Sequence, residues 1–253
     1  MTNLPPFDRW GAVGRPALVL IHGASLSRRM WAPAAERLAT DFQVLAPDLP
    51  GHGHRTDPFS LDQAAEEVAA LIRAECPDGA FVAGDSLGGY TTLAVASRYP
   101  ELVKAAVVSG ATYRFDSRPF RTRLGAGFEA LLVSLLGGRM LGRVLKRVGE
   151  VYPKAPLDDL VIGGIRLAAR PEALRELAGH DTLAMVSRYP GPILFVNGED
   201  DAVARRHETA FVGAARQATL VVMPGLPHGV SLAEPLMFAD HVGAFARRIA
   251  GTG

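Results

Sequence analysis

A serine flanked by glycines is the residue best placed to do chemistry in this chain. The segment Gly84-Asp85-Ser86-Leu87-Gly88 follows the apolar run Phe81–Ala83 and precedes the helix-compatible run Thr91–Ser97. Glycine at both flanks removes the Cβ atoms that would collide where a strand turns sharply into a helix. The serine can then hold a strained backbone that exposes its hydroxyl, beside a helix N-terminus that favours negative charge. This order is typical of a nucleophile elbow, and Ser86 is predicted to be a nucleophile.

A serine hydroxyl needs a base, and the base needs a carboxylate to orient it. Both types occur downstream, each after a strand-like run. The run 192–197 precedes Glu199-Asp200-Asp201, and the run 218–223 precedes His228. The chain order is therefore serine, acid, histidine. His228 is predicted to take the serine proton and to return it to the leaving group.

Further motifs agree in type and order. The segment Ala17–Gly23 is an apolar run ending in His22-Gly23, and Met30-Trp31 and Leu45–Gly53 follow it. With these motifs, the chain resembles the serine hydrolases of the alpha/beta-hydrolase fold, of the esterase or lactonase kind with a helical cap. The resemblance extends from Pro16 to about Ala250, apart from an insertion in the middle.

The resemblance also assigns the remaining site residues. The family's Gly-x-x-Asp turn falls on Gly198 and makes Asp201 the expected acid, with Asp200 as the alternative. The family's oxyanion hole consists of backbone amides. One would be that of Leu87, and the other that of Ala24 or else Ser25.

Short apolar runs alternate with amphipathic helical stretches along most of the chain. This pattern predicts an α/β fold, a mostly parallel central sheet with helices on both faces. About fifteen residues precede the first core strand, where the family often has two antiparallel strands, and one is expected here. The predicted strands lie near 17–22, 43–47, 80–84, 105–109, 192–197 and 218–223. The predicted helices are Arg28–Ala39, Ser60–Ala74, Gly88–Arg98, Ala204–Ala214 and Pro235–Ile249, the last with Phe238, Val242, Phe245 and Ile249 as its buried stripe.

The middle of the chain interrupts this alternation. Residues 111–190 are predicted to form a helical cap, inserted into a hydrolase core made of residues 1–110 and 191–253. One interpretation packs the apolar residues of this insertion on the core, and the other has some of them line a pocket above Ser86. Its arginines are expected on a solvated outer face, with a carboxylate clamp as the alternative. The apolar residues at helical spacing are Leu124, Phe128, Leu131, Leu132, Leu135, Leu136 and Leu141.

Two further residues near the predicted site stand out. Asp85 takes the place where relatives often have histidine, and it either alters the field around Ser86 or caps the elbow. His22 is expected to stabilise the loop beside the oxyanion hole and not to serve as a second base. The other histidines are predicted to lie in turns, on helices or at the surface.

A serine nucleophile argues against the dehalogenases and epoxide hydrolases of this fold, which use aspartate. The leading expectation is an enzyme that hydrolyses a carboxylic ester, lactone or thioester of a small-to-medium, largely apolar substrate through an acyl-enzyme. A carbon–carbon bond hydrolase, or a lyase or acyltransferase with the same triad, is the alternative within catalysis. Gly229 follows His228 where carbon–carbon hydrolases often carry an aromatic residue, which lowers that option. A ligand-binding receptor with a residual triad is the alternative outside catalysis.

Composition sets the remaining expectations. The net charge is +1, which leaves no electrostatic footprint for nucleic acid or an anionic membrane. The one cysteine, Cys76, excludes an intrachain disulfide, and no Cys/His spacing indicates a metal or another cofactor. The start lacks a signal-peptide pattern, and no apolar run reaches about 18 residues. We therefore expect a cytoplasmic monomer or homodimer whose partner is a small-molecule acyl substrate.

Overall fold

Seven strands form one central sheet. The structure is a computed structural model that describes residues 4–251, apart from the side chains of residues 138 and 139. The strands lie in the order β1-β3-β2-β4-β5-β6-β7. All neighbours are parallel except β1 and β3, so the predicted mostly parallel sheet is confirmed. Their bounds are β1 Phe7–Trp10, β2 Ala17–Ile21, β3 Gln43–Pro47, β4 Ala80–Asp85, β5 Val103–Ser109, β6 Pro192–Gly198 and β7 Gln217–Met223.

Helices cover the sheet on both faces, which explains why its inner strands are continuous apolar runs. Short 3-10 helices lie at Arg28–Trp31, Pro100–Leu102, Phe115–Ser117 and Ala204–His207. The α-helices are α1 Ala32–Leu38, α2 Leu61–Glu75, α3 Leu87–Arg98, α4 Pro119–Val151, α5 Leu157–Gly163, α6 Ala169–Leu177, α7 Thr182–Arg188, α8 Glu208–Ala214, α9 Val230–Ala233 and α10 Pro235–Ala250.

Strand β2 shows how the two layers of the core divide. Leu18 and Leu20 point to one face, where they share an apolar cluster with Phe238 of α10. Val19 and Ile21 point to the other face, where they share an apolar cluster with residues of α2 and α3. Successive side chains of a strand alternate between its faces, so one apolar run supplies both clusters.

The two ends of the described chain agree with the sequence expectations except at Ile249, where the predicted burial is wrong. Strand β1 is the single antiparallel strand before β2 within residues 4–251. In α10, Phe238, Val242 and Phe245 are buried, but Ile249 is 37% exposed because it lies in the last turn of the helix.

The insertion between β5 and β6 carries α4 to α7. Helix α7 packs on the core, since its Met185 and Val186 belong to the same apolar cluster as Leu93 of α3. Helix α4 contacts α5 and α6, and near its end Val148 packs against the other core cluster. The division into a core and a cap stays a prediction, and its outer limits at residues 1 and 253 lie outside the described residues.

The apolar residues of α4 lie on the outside of the protein. The opposite side of α4 faces α6, where Ala126 is buried and accepts a hydrogen bond from Arg175. The prediction of packing on the core is therefore wrong for the six exposed residues of the predicted set, whereas Leu141 is half-buried. The six are Leu124 65%, Phe128 64%, Leu131 55%, Leu132 36%, Leu135 69% and Leu136 42% exposed, and the neighbouring Phe120 is 76% exposed.

Helix α4 also bends sharply. Its segments Pro119–Gly137 and Met140–Val151 meet at 108°. The sequence Gly137-Gly138 lies at the bend, and paired glycines are a common cause of helix kinks. No single described helix is long and apolar enough to cross a membrane, and the two segments of α4 pass that test only together.

Candidate active site

Ser86 lies in the tight turn between β4 and α3. Its backbone has φ 53° and ψ −114°, and its amide donates a hydrogen bond of 2.7 Å to the carbonyl oxygen of Ser109. A Cβ at Gly84 would collide with the carbonyl of Gly88, and a Cβ at Gly88 would collide with that of Ile21. Both glycines are therefore needed for the sharp turn, as the sequence predicted.

The structure brings the three predicted side chains together. His228 Nε2 lies 3.0 Å from Ser86 Oγ, and His228 Nδ1 lies 2.6 Å from Asp201 Oδ2. The serine hydroxyl can therefore donate to Nε2 while the Nδ1 proton is donated to the carboxylate. Asp200, the alternative acid, is exposed, and the imidazole Nδ1 is hydrogen-bonded to Asp201.

The charges around His228 suit a base. Burial favours the neutral imidazole, but the hydrogen bond to Asp201 and the negative charges of Asp85 and Asp201 outweigh it, so the pKa of His228 is raised. Burial would raise the pKa of Asp201, but His228 and the amides of Ala204 and Val203 bring that pKa below its usual value. Asp201 thus stays ionised while His228 gains or loses a proton.

Two contacts that sequence reasoning missed position His228. Gly110 has φ +58°, and a Cβ there would lie 3.1 Å from His228 Cε1, so the ring packs directly on this glycine. Tyr152, at the end of α4, donates a hydrogen bond of 2.6 Å from its hydroxyl to the carbonyl oxygen of His228. Neither residue belongs to a motif, and only the folded arrangement reveals them.

A buried polar cluster supports the loop that carries Asp201. Asn197, at the end of β6, donates to Glu208 Oε2 at 2.7 Å and to Thr112 Oγ1 at 3.0 Å. Thr112 in turn donates to the carbonyl oxygen of Ala204 at 2.7 Å. Asp201 Oδ1 accepts from the amide of Ala204 at 3.0 Å. The cluster fixes the backbone on which the carboxylate sits.

The predicted oxyanion-hole residues line the same cavity as Ser86. Leu87 is the first residue of α3, and its amide is one of those at a helix N-terminus without an intrahelical partner. Ala24 follows β2 and faces the same cavity. Ser25 has φ +67°, a left-handed conformation that bends the loop after Ala24. Both predicted residues thus line the cavity beside Ser86, and the use of their amides as an oxyanion hole stays a prediction.

His22 stabilises this loop. It is fully buried, and the amide of Leu49 donates to its Nε2 at 3.0 Å, which leaves the proton on Nδ1. Nδ1 donates to the carbonyl oxygen of Gly23 at 2.8 Å. Burial lowers the pKa of His22 to about 4. The imidazole is therefore neutral at neutral pH, and both of its nitrogens are already hydrogen-bonded, which fits the expected structural role.

Asp85 is a second buried carboxylate next to the site. It accepts a hydrogen bond of 2.6 Å from Ser109 Oγ, and burial raises its pKa. This hydrogen bond joins the Asp85 side chain to the end of β5. The charge of Asp85 helps to raise the pKa of His228, which favours the interpretation that Asp85 alters the field of the site.

A cavity of about 340 Å³ opens onto Ser86, and its walls are mainly apolar. Arg170 is its one arginine or lysine, and it is ion-paired with Glu129 of α4. Within residues 4–251, no three His, Cys, Asp or Glu side chains cluster in a way that could hold a metal ion. The apolar lining consists of Ala24, Leu87, Tyr90, Tyr113, Phe115, Ala173, Leu174, Leu177 and Val203.

The mostly parallel sheet has a serine elbow at the end of its fourth strand. An acid and a histidine follow its last two strands. This combination defines a hydrolase of the α/β class. The model of the alpha/beta hydrolase family matches residues 18–241. The chain belongs to this family, and it is an enzyme of the alpha/beta hydrolase class.

Individual relatives agree with this assignment. The chain is 37% identical to an AB hydrolase superfamily protein of Gibberella zeae, over 96% of this chain and 84% of that protein. It is 29% identical to a pimeloyl-[acyl-carrier protein] methyl ester esterase of Sodalis glossinidius, over 91% of this chain and 93% of the relative. Among solved structures, a thermophilic esterase from Thermogutta terrifontis shares the fold with a TM-score of 0.80 and 22% identity, over 96% and 93% of the two chains.

Proposed function

We propose that this protein is a serine hydrolase that cleaves a carboxylic ester, lactone or thioester. Ser86 is the nucleophile, His228 the general base and acid, and Asp201 the carboxylate that orients the imidazole. The observation that carries the proposal is the continuous hydrogen-bonded chain from Ser86 Oγ through His228 to Asp201. Similarity to proteins named as esterases supports the same class of reaction.

The geometry supports a two-stage reaction. Ser86 Oγ attacks the acyl carbon while His228 Nε2 takes the hydroxyl proton, and Asp201 stabilises the resulting imidazolium. The oxyanion accepts hydrogen bonds from the amides of Leu87 and Ala24. The bond to the leaving oxygen or sulfur then breaks as His228 returns the proton. Water, deprotonated by His228, hydrolyses the acyl-enzyme and frees Ser86.

The cavity favours a small-to-medium, largely apolar substrate. Its volume of about 340 Å³ lies near the lower end of small-molecule pockets. Aromatic rings of Tyr90, Tyr113 and Phe115 and the leucines of α6 form its walls. An acyl chain or ring would bury apolar surface there, while its carbonyl reaches Ser86.

A substrate series tests the proposal. We expect turnover of p-nitrophenyl esters, lactones or acyl-thioesters, and labelling of Ser86 by a fluorophosphonate probe. The Ser86→Ala variant should lose at least about 10³-fold in kcat and all labelling, because triad members act as a unit. Turnover of a diketone with no acyl compound hydrolysed would contradict the proposal, as would tight ligand binding without turnover.

A further inference from the structure

The outer face of α4 is a continuous apolar surface. We call it the outer stripe, formed by Phe120, Leu124, Phe128, Leu131, Leu132, Leu135 and Leu136, which are 36% to 76% exposed. None of the seven lines the cavity at Ser86. A contiguous apolar face of this kind marks an interaction site more often than a plain surface.

The segment that carries the outer stripe is strongly basic. Residues 118–151 contain seven arginines and lysines and two glutamates. Glu129 pairs with Arg170 of α6, and Glu150 lies against both Lys146 and Arg147. Arg118, Arg121 and Arg143 are exposed and make no ion pair within the described part of the chain. Arg118 and Arg121 lie at the start of the segment that carries the outer stripe, so positive charge without an ion-pair partner among the described residues borders the apolar face there.

This charge decides between the possible occupants. A second copy of the chain would bring α4 against α4 across a two-fold axis, so like charges would meet. An apolar face bordered by arginine and lysine is the composition of helices that lie in a membrane interface, where anionic lipids attract the basic residues. We propose that α4 docks this protein on an anionic lipid surface through the outer stripe.

The net charge of the whole chain does not reveal the positive charge of this segment. A value of +1 gave no reason to expect an anionic membrane, because acidic residues elsewhere balance the charge of residues 118–151. Helix α4 packs on α6, and α6 supplies Arg170, Ala173, Leu174 and Leu177 to the cavity wall. Docking would thus bring the cavity within one helix of the lipid. That an ester dissolved in the lipid is the substrate rests on the proposed function, but docking itself does not.

Vesicle flotation of the full chain tests the docking. We expect the protein to float with phosphatidylcholine vesicles that contain 30% phosphatidylglycerol, and this binding to weaken as salt is added. Leu131→Glu with Leu135→Glu should reduce it at least about tenfold, because two charges replace exposed apolar groups that docking would bury in the lipid. Arg118→Glu with Arg121→Glu should reduce binding to the anionic vesicles by a similar factor.

Matched controls separate docking from folding and from catalysis. Val13→Glu with Leu236→Glu changes two exposed apolar residues outside α4 and should leave flotation unchanged. Hydrolysis of a water-soluble p-nitrophenyl ester should not change in the Leu131/Leu135 variant, and Ser86→Ala should float like the unmodified protein. A failure of the proposed function would therefore leave the docking result intact, and the reverse also holds.

Three outcomes would overturn the inference. The first is no flotation, or equal flotation of the unmodified protein and the Leu131/Leu135 variant. The second is a dimer in analytical ultracentrifugation that this variant abolishes, without vesicle binding, which would indicate a second copy. The third is retention on immobilised polyglutamate without vesicle binding, which would indicate an acidic protein partner.

Discussion

His228 is hydrogen-bonded to one buried carboxylate and is influenced by the charge of a second, and the two set its behaviour with pH. The charges of Asp201 and Asp85 raise the pKa of His228 above its ordinary value of 6.5. The imidazole must be neutral to accept the serine proton, so activity is lost as the pH falls through this raised pKa. We expect the acid limb of the kcat/KM profile to have its midpoint above 6.5. A midpoint well below that value would contradict the proposed environment of the base.

Asp85→Asn tests the second carboxylate. The amide has nearly the same shape and can still accept from Ser109 Oγ, but it removes a negative charge that raises the pKa of His228. The acid limb of the kcat/KM profile should therefore move to lower pH, with the variant still folded. A limb that stays in place, or moves upward, would show that Asp85 does not act on His228.

Gly110 sets the position of the imidazole ring. In Gly110→Ala, the new Cβ would lie 3.1 Å from His228 Cε1 and push the ring away from Ser86. We expect kcat to fall about 10- to 100-fold, since small misplacements of a catalytic group are costly. Steady-state kinetics measures this change. Gly14→Ala is the control, because its φ is +90° with no atom within 4 Å of a Cβ, so only the backbone cost applies. Equal losses of kcat in both variants would contradict the steric explanation.

At the scale of elements, the end of α4 is tied to the loop that carries the base. In Tyr152→Phe, the carbonyl of His228 loses its 2.6 Å hydrogen bond. We expect a loss of about 1 kcal/mol in stability, or about 2–4 °C in Tm, together with a several-fold fall in kcat. Thermal unfolding and steady-state kinetics measure the two effects.

Lys154→Met is the matched control for this connection. It breaks the ion pair between Lys154 and Glu234, which also joins this region to the start of α10. Lys154 is exposed, and such pairs contribute between about 0 and 1 kcal/mol. An equal fall of kcat in both variants would show that the tyrosine hydroxyl has no particular effect on His228.

The sequence predicted the helices and strands of the core well, but it misjudged α4. The core strands are apolar because both faces are covered, and this environment leaves a clear pattern. The apolar residues of α4 have the same helical spacing as a buried stripe, yet they face outward. Spacing reveals which residues share a face of a helix, but it does not reveal where that face points.

At the scale of the whole molecule, α10 packs the end of the described chain against α1 and the 3-10 helix before it. Phe238 is fully buried and stacks on Trp31 with their ring centroids 5.6 Å apart. Phe238→Ala should lower the free energy of unfolding by about 3–5 kcal/mol, through lost burial and the cavity it leaves. Urea denaturation measures this loss. Met237→Ala, at a site 47% exposed on the same helix, should change it by about 0.5 kcal/mol or less. A loss below about 1 kcal/mol at Phe238 would contradict the described packing.

The sequence could predict that the three side chains of the site converge, because each of them follows a strand of the sheet. Ser86, Asp201 and His228 each follow a strand, and the carboxyl ends of parallel strands meet at one edge of the sheet. The contacts of Gly110 and Tyr152 with His228 join residues far apart in the chain, and they leave no local pattern. The walls of the cavity were hidden for the same reason, since they depend on how α6 lies over the sheet.

The route of the chain between β5 and β6 has an evolutionary consequence. These strands are direct neighbours in the sheet, yet the chain travels from Ser109 to Pro192 before it returns to the adjacent position. The excursion can change in length or sequence without altering strand pairing or the elbow, provided that Gly110, Thr112 and Tyr152 keep their contacts with the loops that carry Asp201 and His228. A descendant of this protein could therefore acquire a new substrate range or a new subcellular location while it keeps the same catalytic residues.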